Sequence, residues 1–271
     1  MSAGLFTTSD GCQLTYESVG EGMPVLWQHG LGADRNQPAE VFPDLPHVRR
    51  ITLECRGHGQ SELGDPNRIS IASFAEDAIA LLDHLGISQA IVGGISLGAA
   101  IALRLAVFHP NRVSGLILAR PAWIDGPSLA TMAPYREVAR LLHEAGADRG
   151  EALFAQSKEL QEVFSVSPDN AQSLQSFFKR PNPESTILLL SKIACDSPSI
   201  GGAFDRITVP TLIIANDQEF VHPIAYAREL ARAVPQASLQ IITSKTISRT
   251  AYVEEFRSAL TTFLNRLENA Q

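Results

Sequence analysis

Short apolar runs rich in Val, Ile and Leu recur along the chain at residues 24–28, 50–54, 90–95, 115–119, 210–215 and 239–243, and most are followed by a glycine-bearing turn and then a stretch of helical period. This alternation constrains the fold more than any other feature, because a strand, a crossover helix and a second strand build a mostly parallel sheet covered by helices. The fold class is therefore α/β. Runs such as Thr211-Leu212-Ile213-Ile214-Ala215 are nearly continuously apolar, which suits strands buried on both faces. Residues 14–18 alternate more, as an antiparallel edge would.

Helical period appears at 71–85, at 98–108 and at 252–267, the last with Val253, Phe256, Leu260, Phe263 and Leu264 on one stripe. Pro110 requires the second of these to end before it. The interval 122–204 carries no strand pattern and holds four helical segments, with start signals at Asp148, Ser167-Pro168-Asp169 and Asn182-Pro183-Glu184. Strand pattern resumes only at Val209-Pro210. The expected organisation is thus a core of residues 1–121 and 205–271 with a helical cap, or lid, inserted at 122–204.

The 271 residues are 45% hydrophobic and 19% charged with a net charge of −7, a soluble globular composition without the basic footprint of a nucleic-acid binder. Three cysteines, Cys12, Cys55 and Cys195, stand far apart, so neither a disulfide framework nor a zinc site is expected, and a reducing cytoplasm fits. Residues 1–11 lack the basic and apolar regions of an export signal, and no run reaches the ~20 residues of a membrane span. A small molecule is the expected partner, with neither nucleic acid nor membrane; monomer and homodimer both stay open.

Gly94-Ile95-Ser96-Leu97-Gly98 has the form G-x-S-x-G, and its context is specific: it follows an apolar run and opens a helix. A strand, sharp turn and helix of this kind lift a serine Oγ above a sheet, and flanking glycines leave room for the turn. Three further motifs stand in order around it: His29-Gly30-Leu31-Gly32 after an early strand, Arg56-Gly57-His58-Gly59-Gln60-Ser61 after the next, and Asn216-Asp217-Gln218-Glu219-Phe220-Val221-His222-Pro223 at the end of a late one. Together these resemble the α/β-hydrolase family over nearly the whole chain outside the insertion. The resemblance implies an eight-stranded, mostly parallel sheet and a cofactor-free, metal-free enzyme acting on a small ester, lactone or related carbonyl compound. It casts Ser96 as nucleophile and the amides of Leu31 and Leu97 as the oxyanion hole. By motif spacing the acid falls on Glu219, with Asp217 as its competitor.

The base departs from the family pattern. The slot after the last strand, where the family places a histidine, falls on Lys245-Thr246, and no histidine follows His222 in the chain. A serine needs a base near neutral pH, and threonine cannot serve. Three readings stay open: His222 swings to Ser96; Lys245 acts in the manner of Ser-Lys enzymes; or no acylation occurs, and the chain is a ligand-binding or lyase-like member of the family. His29, Arg120 and Trp123 are candidates for the substrate pocket, where Arg120 would meet an anion and Trp123 would stack on a ring. For each a structural role is the alternative.

Overall fold

The computed structural model describes residues 2–269. Among them eight strands form one sheet in the order β1-β2-β4-β3-β5-β6-β7-β8, comprising β1 (Ser2–Thr7), β2 (Gln13–Val19), β3 (Met23–Gln28), β4 (Val48–Leu53), β5 (Ala90–Ile95), β6 (Val113–Ala119), β7 (Thr211–Ala215) and β8 (Ala237–Ile241). From β4 through β8 neighbouring strands are parallel; β1 and β2 add an antiparallel flank. The sheet is mostly parallel, as the alternation requires. Residues 14–18 lie within β2, which is antiparallel but not the edge, because β1, a strand without a strong apolar signal, pairs outside it.

Successive residues of the buried strands feed opposite cores. Leu26, Val92, Leu118 and Ile213 join one apolar cluster, while Val25, Trp27, Ile91, Ile117 and Ile214 join the other. This is the two-residue period of a strand covered on both sides. The second cluster is closed by α1 (Asn36–Val41) and α9 (Arg249–Glu268), through Val41, Phe256, Leu260 and Leu264. The first is closed by α2 (Ile71–His84), α3 (Leu97–Phe108) and α8 (Ile224–Ala233). Ser70 and Ser248 cap α2 and α9 by accepting from the amides of Ser73 and Ala251.

Among the described residues four helical spans lie between β6 and β7: α4 (Ala133–Phe154), α5 (Lys158–Val166), α6 (Pro168–Ser176) and α7 (Pro183–Ile193). Ser167 and Asn182 cap α6 and α7 as their sequence suggests. The span α4 is two helices joined across Gly146, whose φ of 75° and ψ of −177° break the helical path, and the second opens beside Asp148. Buried side chains of these helices, including Val138, Phe154 and Leu189, are continuous with the cluster of α2 and α3. The two ends of the insertion are clamped together. The Asp125 carboxylate accepts the amides of Ile200 at 2.6 Å and Gly202 at 2.8 Å. No helix among the described residues is long and apolar enough to cross a membrane.

Candidate active site

Strand β5 ends at Ile95 and α3 begins at Leu97, so Ser96 alone makes the turn, with φ 57° and ψ −106°. A non-glycine residue there is strained by about 1–3 kcal/mol, which the surrounding packing must hold in place. The Ser96 amide donates to Ala119 O at 2.9 Å and its carbonyl accepts from Ala100 at 3.1 Å. Gly94 and Gly98 let the strand and helix approach: a Cβ at either would come within 2.6 Å of the Gln28 carbonyl oxygen. The helix start leaves the Leu97 N–H without an intrahelical acceptor beside the serine.

The β7–α8 loop brings two groups to Ser96. Its Oγ lies 2.9 Å from His222 Nε2, and His222 Nδ1 lies 3.0 Å from Glu219 Oε2. With the proton on Nδ1, the imidazole donates to the carboxylate and accepts from the serine hydroxyl. All three residues are buried. Glu219 Oε1 accepts in turn from Asn216 Nδ2 at 3.0 Å and from Arg120 Nη2 at 2.7 Å. Arg120 follows β6 with φ 46° and anchors its own amide to Ile214 O.

The electrostatics favour a neutral imidazole beside an ionised carboxylate. Burial opposes ionisation of Glu219, but the Arg120 charge and the His222 hydrogen bond outweigh it and hold the carboxyl well below the usual carboxylate range. Burial, followed by the Arg120 charge, pushes His222 below the ordinary histidine range against the upward pull of Glu219.

The loop around Leu31 is braced from two sides. Gln37 Oε1 accepts the Gly30 amide at 2.7 Å, and His29 Nδ1 meets Gly30 O at 2.8 Å. His29 Nε2 accepts from the Cys55 amide at 3.0 Å, and burial drops its pKa to about 4. Both ring nitrogens are therefore occupied behind the loop, and His29 does not line the cavity at Ser96. Trp123 does not line it either: its indole turns into the apolar cluster and is 2% exposed. Asp217 is exposed while Glu219 is buried. Lys245 lines the cavity, but its Nζ pairs with Glu40 Oε2 at 3.7 Å, and the hydrogen bond to Ser96 comes from His222.

The cavity beside Ser96 measures about 130 Å³ and is walled by Leu31, Arg120 and His222 from the sheet side and by Tyr135, Asp169 and Asn170 from α4 and α6. Asn170 has a second role, its Oδ1 accepting the Val221 amide at 3.2 Å next to His222. Asn170, Asn216, Gln37 and Tyr135 carry no motif of their own. Asn170 stands next to the start signal of α6 and Asn216 opens the late motif, which is the only trace they leave in the sequence.

A family model described as alpha/beta hydrolase fold matches residues 23–245. The chain belongs to the α/β-hydrolase fold family. Relatives within it include a 2-hydroxymuconate semialdehyde hydrolase of Pseudomonas putida, 30% identical over 247 residues that cover 85% of this chain and 83% of that protein. A 3-oxoadipate enol-lactonase of Acinetobacter baylyi is 26% identical over 265 residues, 96% of each chain. Among solved structures, a thermophilic esterase from Thermogutta terrifontis superposes with a TM-score of 0.77 at 22% identity, covering 98% of this chain and 99% of the other. That likeness shows a shared α/β-hydrolase architecture.

Proposed function

We propose that this α/β-hydrolase is a serine hydrolase of small esters or lactones, with Ser96 as nucleophile, His222 as base and Glu219 as the group that orients it. The observation that carries this reading is the unbroken hydrogen-bonded line from Ser96 Oγ through His222 to Glu219, at 2.9 and 3.0 Å. The names of the relatives, a hydrolase of a semialdehyde and an enol-lactonase, agree with a small carbonyl substrate.

In this reading Ser96 Oγ bonds to the carbonyl carbon as His222 Nε2 takes the hydroxyl proton, and the carbonyl oxygen becomes an oxyanion facing the amides of Leu31 and Leu97. Collapse breaks the bond to the leaving oxygen, which receives the proton from His222. Water then repeats the sequence on the acyl-serine, delivering its proton to His222 and releasing the acid. Residues 122–204 act as the cap, since α4 and α6 supply part of the cavity wall.

A fluorophosphonate probe tests the proposal. Wild type labels at neutral pH, and Ser96→Ala and His222→Ala each abolish labelling and lower ester turnover by a factor on the order of 10³ or more. Folded wild type that takes no label excludes the nucleophile role and leaves a ligand-binding member of the family.

A further inference from the structure

The wall of the Ser96 cavity holds two cations, Arg120 and Lys245, and one carboxylate, Asp169. Arg120 is committed to protein partners: its Nη2 lies 2.7 Å from Glu219 Oε1 and 4.0 Å from Asp169 Oδ2. Lys245 is not. Its Nζ stands 3.7 Å from Glu40 Oε2, beyond hydrogen-bond length, and Glu40 Oε1 already accepts two N–H groups of Arg249, at 2.9 and 2.6 Å. Among the described residues, the Lys245 ammonium, with three donors and a side chain 19% exposed, meets only that loose ion pair and the ring of Tyr252, 5.0 Å from its centroid.

The backbone holds Lys245 in place. Ser244 Oγ accepts the Thr246 amide at 3.2 Å, and Ser244 O accepts the amides of Ile247 and Ser248, each at 3.0 Å. Lys245 thus stands on a fixed turn between β8 and α9 in the wall of the cavity, where the buried Arg120 Nε also lacks a hydrogen-bond partner. At about 130 Å³ the space is close to that of a cavity known to hold benzene, roughly 150 Å³. A purely alkyl acyl group filling it would strip water from Lys245 and return no hydrogen bond, whereas a carboxylate would return a charge-assisted one.

We infer that Lys245 is the substrate's carboxylate anchor, so that the enzyme acts on small esters or lactones bearing a free carboxylate. The inference rests on the serine hydrolase reading for its chemistry, though the anchor binds an anion with or without turnover.

Two measurements test it. In a pH-stat assay, wild type hydrolyses methyl hydrogen succinate with a kcat/KM about tenfold or more above that for methyl butanoate, and Lys245→Met lowers that ratio by about tenfold or more, with Lys245→Arg recovering part of it. A preference for the neutral ester, or a ratio that Lys245→Met leaves in place, overturns the inference. Calorimetric titration with succinate separates the anchor from the chemistry: binding to wild type and to Ser96→Ala, lost in Lys245→Met, supports the anchor even if neither ester turns over, an outcome that would instead remove the hydrolase reading. Absence of succinate binding by wild type, or equal binding by Lys245→Met, overturns it.

Discussion

Arg120 Nη2 lies 2.7 Å from Glu219 Oε1, so the carboxylate that holds His222 is itself one half of a buried ion pair. The guanidinium keeps Glu219 ionised and, at the same time, draws the imidazole toward its neutral form.

Arg120→Met removes that charge. In the proposed serine-hydrolase mechanism His222 must be neutral to accept the serine proton, and its pKa is lowered, so the acidic limb of the pH profile is expected below the ordinary histidine value. Without Arg120 the imidazole loses a cation beside it and the limb moves to higher pH. Stability also falls, by about 3–5 kcal/mol, because Glu219 is left buried without its cation. The pH dependence of kcat/KM and urea unfolding of the two proteins check both outcomes; an acidic limb at the same pH in the variant contradicts the coupling.

Gly98→Ala tests the close approach beneath the elbow. The added Cβ would stand 2.5 Å from the Gln28 carbonyl oxygen and 2.8 Å from its carbon, which are backbone atoms with little room to yield. Overpacking of this kind costs about 1–3 kcal/mol. Chemical denaturation should show that loss, together with weaker fluorophosphonate labelling as Ser96 is displaced; a variant as stable as wild type would mean the turn relaxes freely.

The buried histidines make stability depend on pH between about 4 and 6.5. His29 is lowered to about 4 and His58 is held well below the ordinary histidine value, both chiefly by burial. A lowered folded-state pKa means that, as pH falls below 6.5, the unfolded chain takes up protons that the folded chain refuses, so stability declines. For His29 the full difference is on the order of 3 kcal/mol, complete only near pH 4. Unfolding free energies measured from pH 7 to pH 4.5 should drop steadily, and His29→Asn should flatten that slope even though it lowers stability at pH 7.

Asp125 links the two ends of the inserted helices by accepting the amides of Ile200, Gly201 and Gly202 at 2.6, 3.2 and 2.8 Å. Asp125→Ala leaves these donors without their acceptor, a loss of about 1–3 kcal/mol. Hydrogen exchange at residues 199–202 should quicken in Asp125→Ala and much less in Asp125→Asn, which retains an acceptor oxygen. Unchanged protection in both variants would show that the clamp contributes nothing to holding the insertion.

Much of the architecture was readable from the chain because parallel strands buried on both faces leave nearly continuous apolar runs, as in β5 and β7. Strand β1 was not, since an edge strand with one exposed face carries little apolar signal and forms by pairing with β2. Helices α1 and α8 also went unread: both are short, and α1 begins without a side-chain cap. At the site, the Ser96 turn was legible because it is made by five consecutive residues, whereas spacing within the loop favoured Glu219 and left Asp217 as its competitor.

Local sequence, then, determined the elements and the bend at Ser96, since period, glycine placement and turn strain act over a few neighbouring residues. That His222 reaches Ser96 across 126 positions was decided only in three dimensions. Strand β7 delivers the loop to the sheet edge, Asn170 of α6 pins its Val221 amide, and the ion pair with Arg120 turns Glu219 inward to hold the ring. Each of those contacts joins segments far apart in the chain, and no spacing within the loop encodes the direction in which the imidazole points.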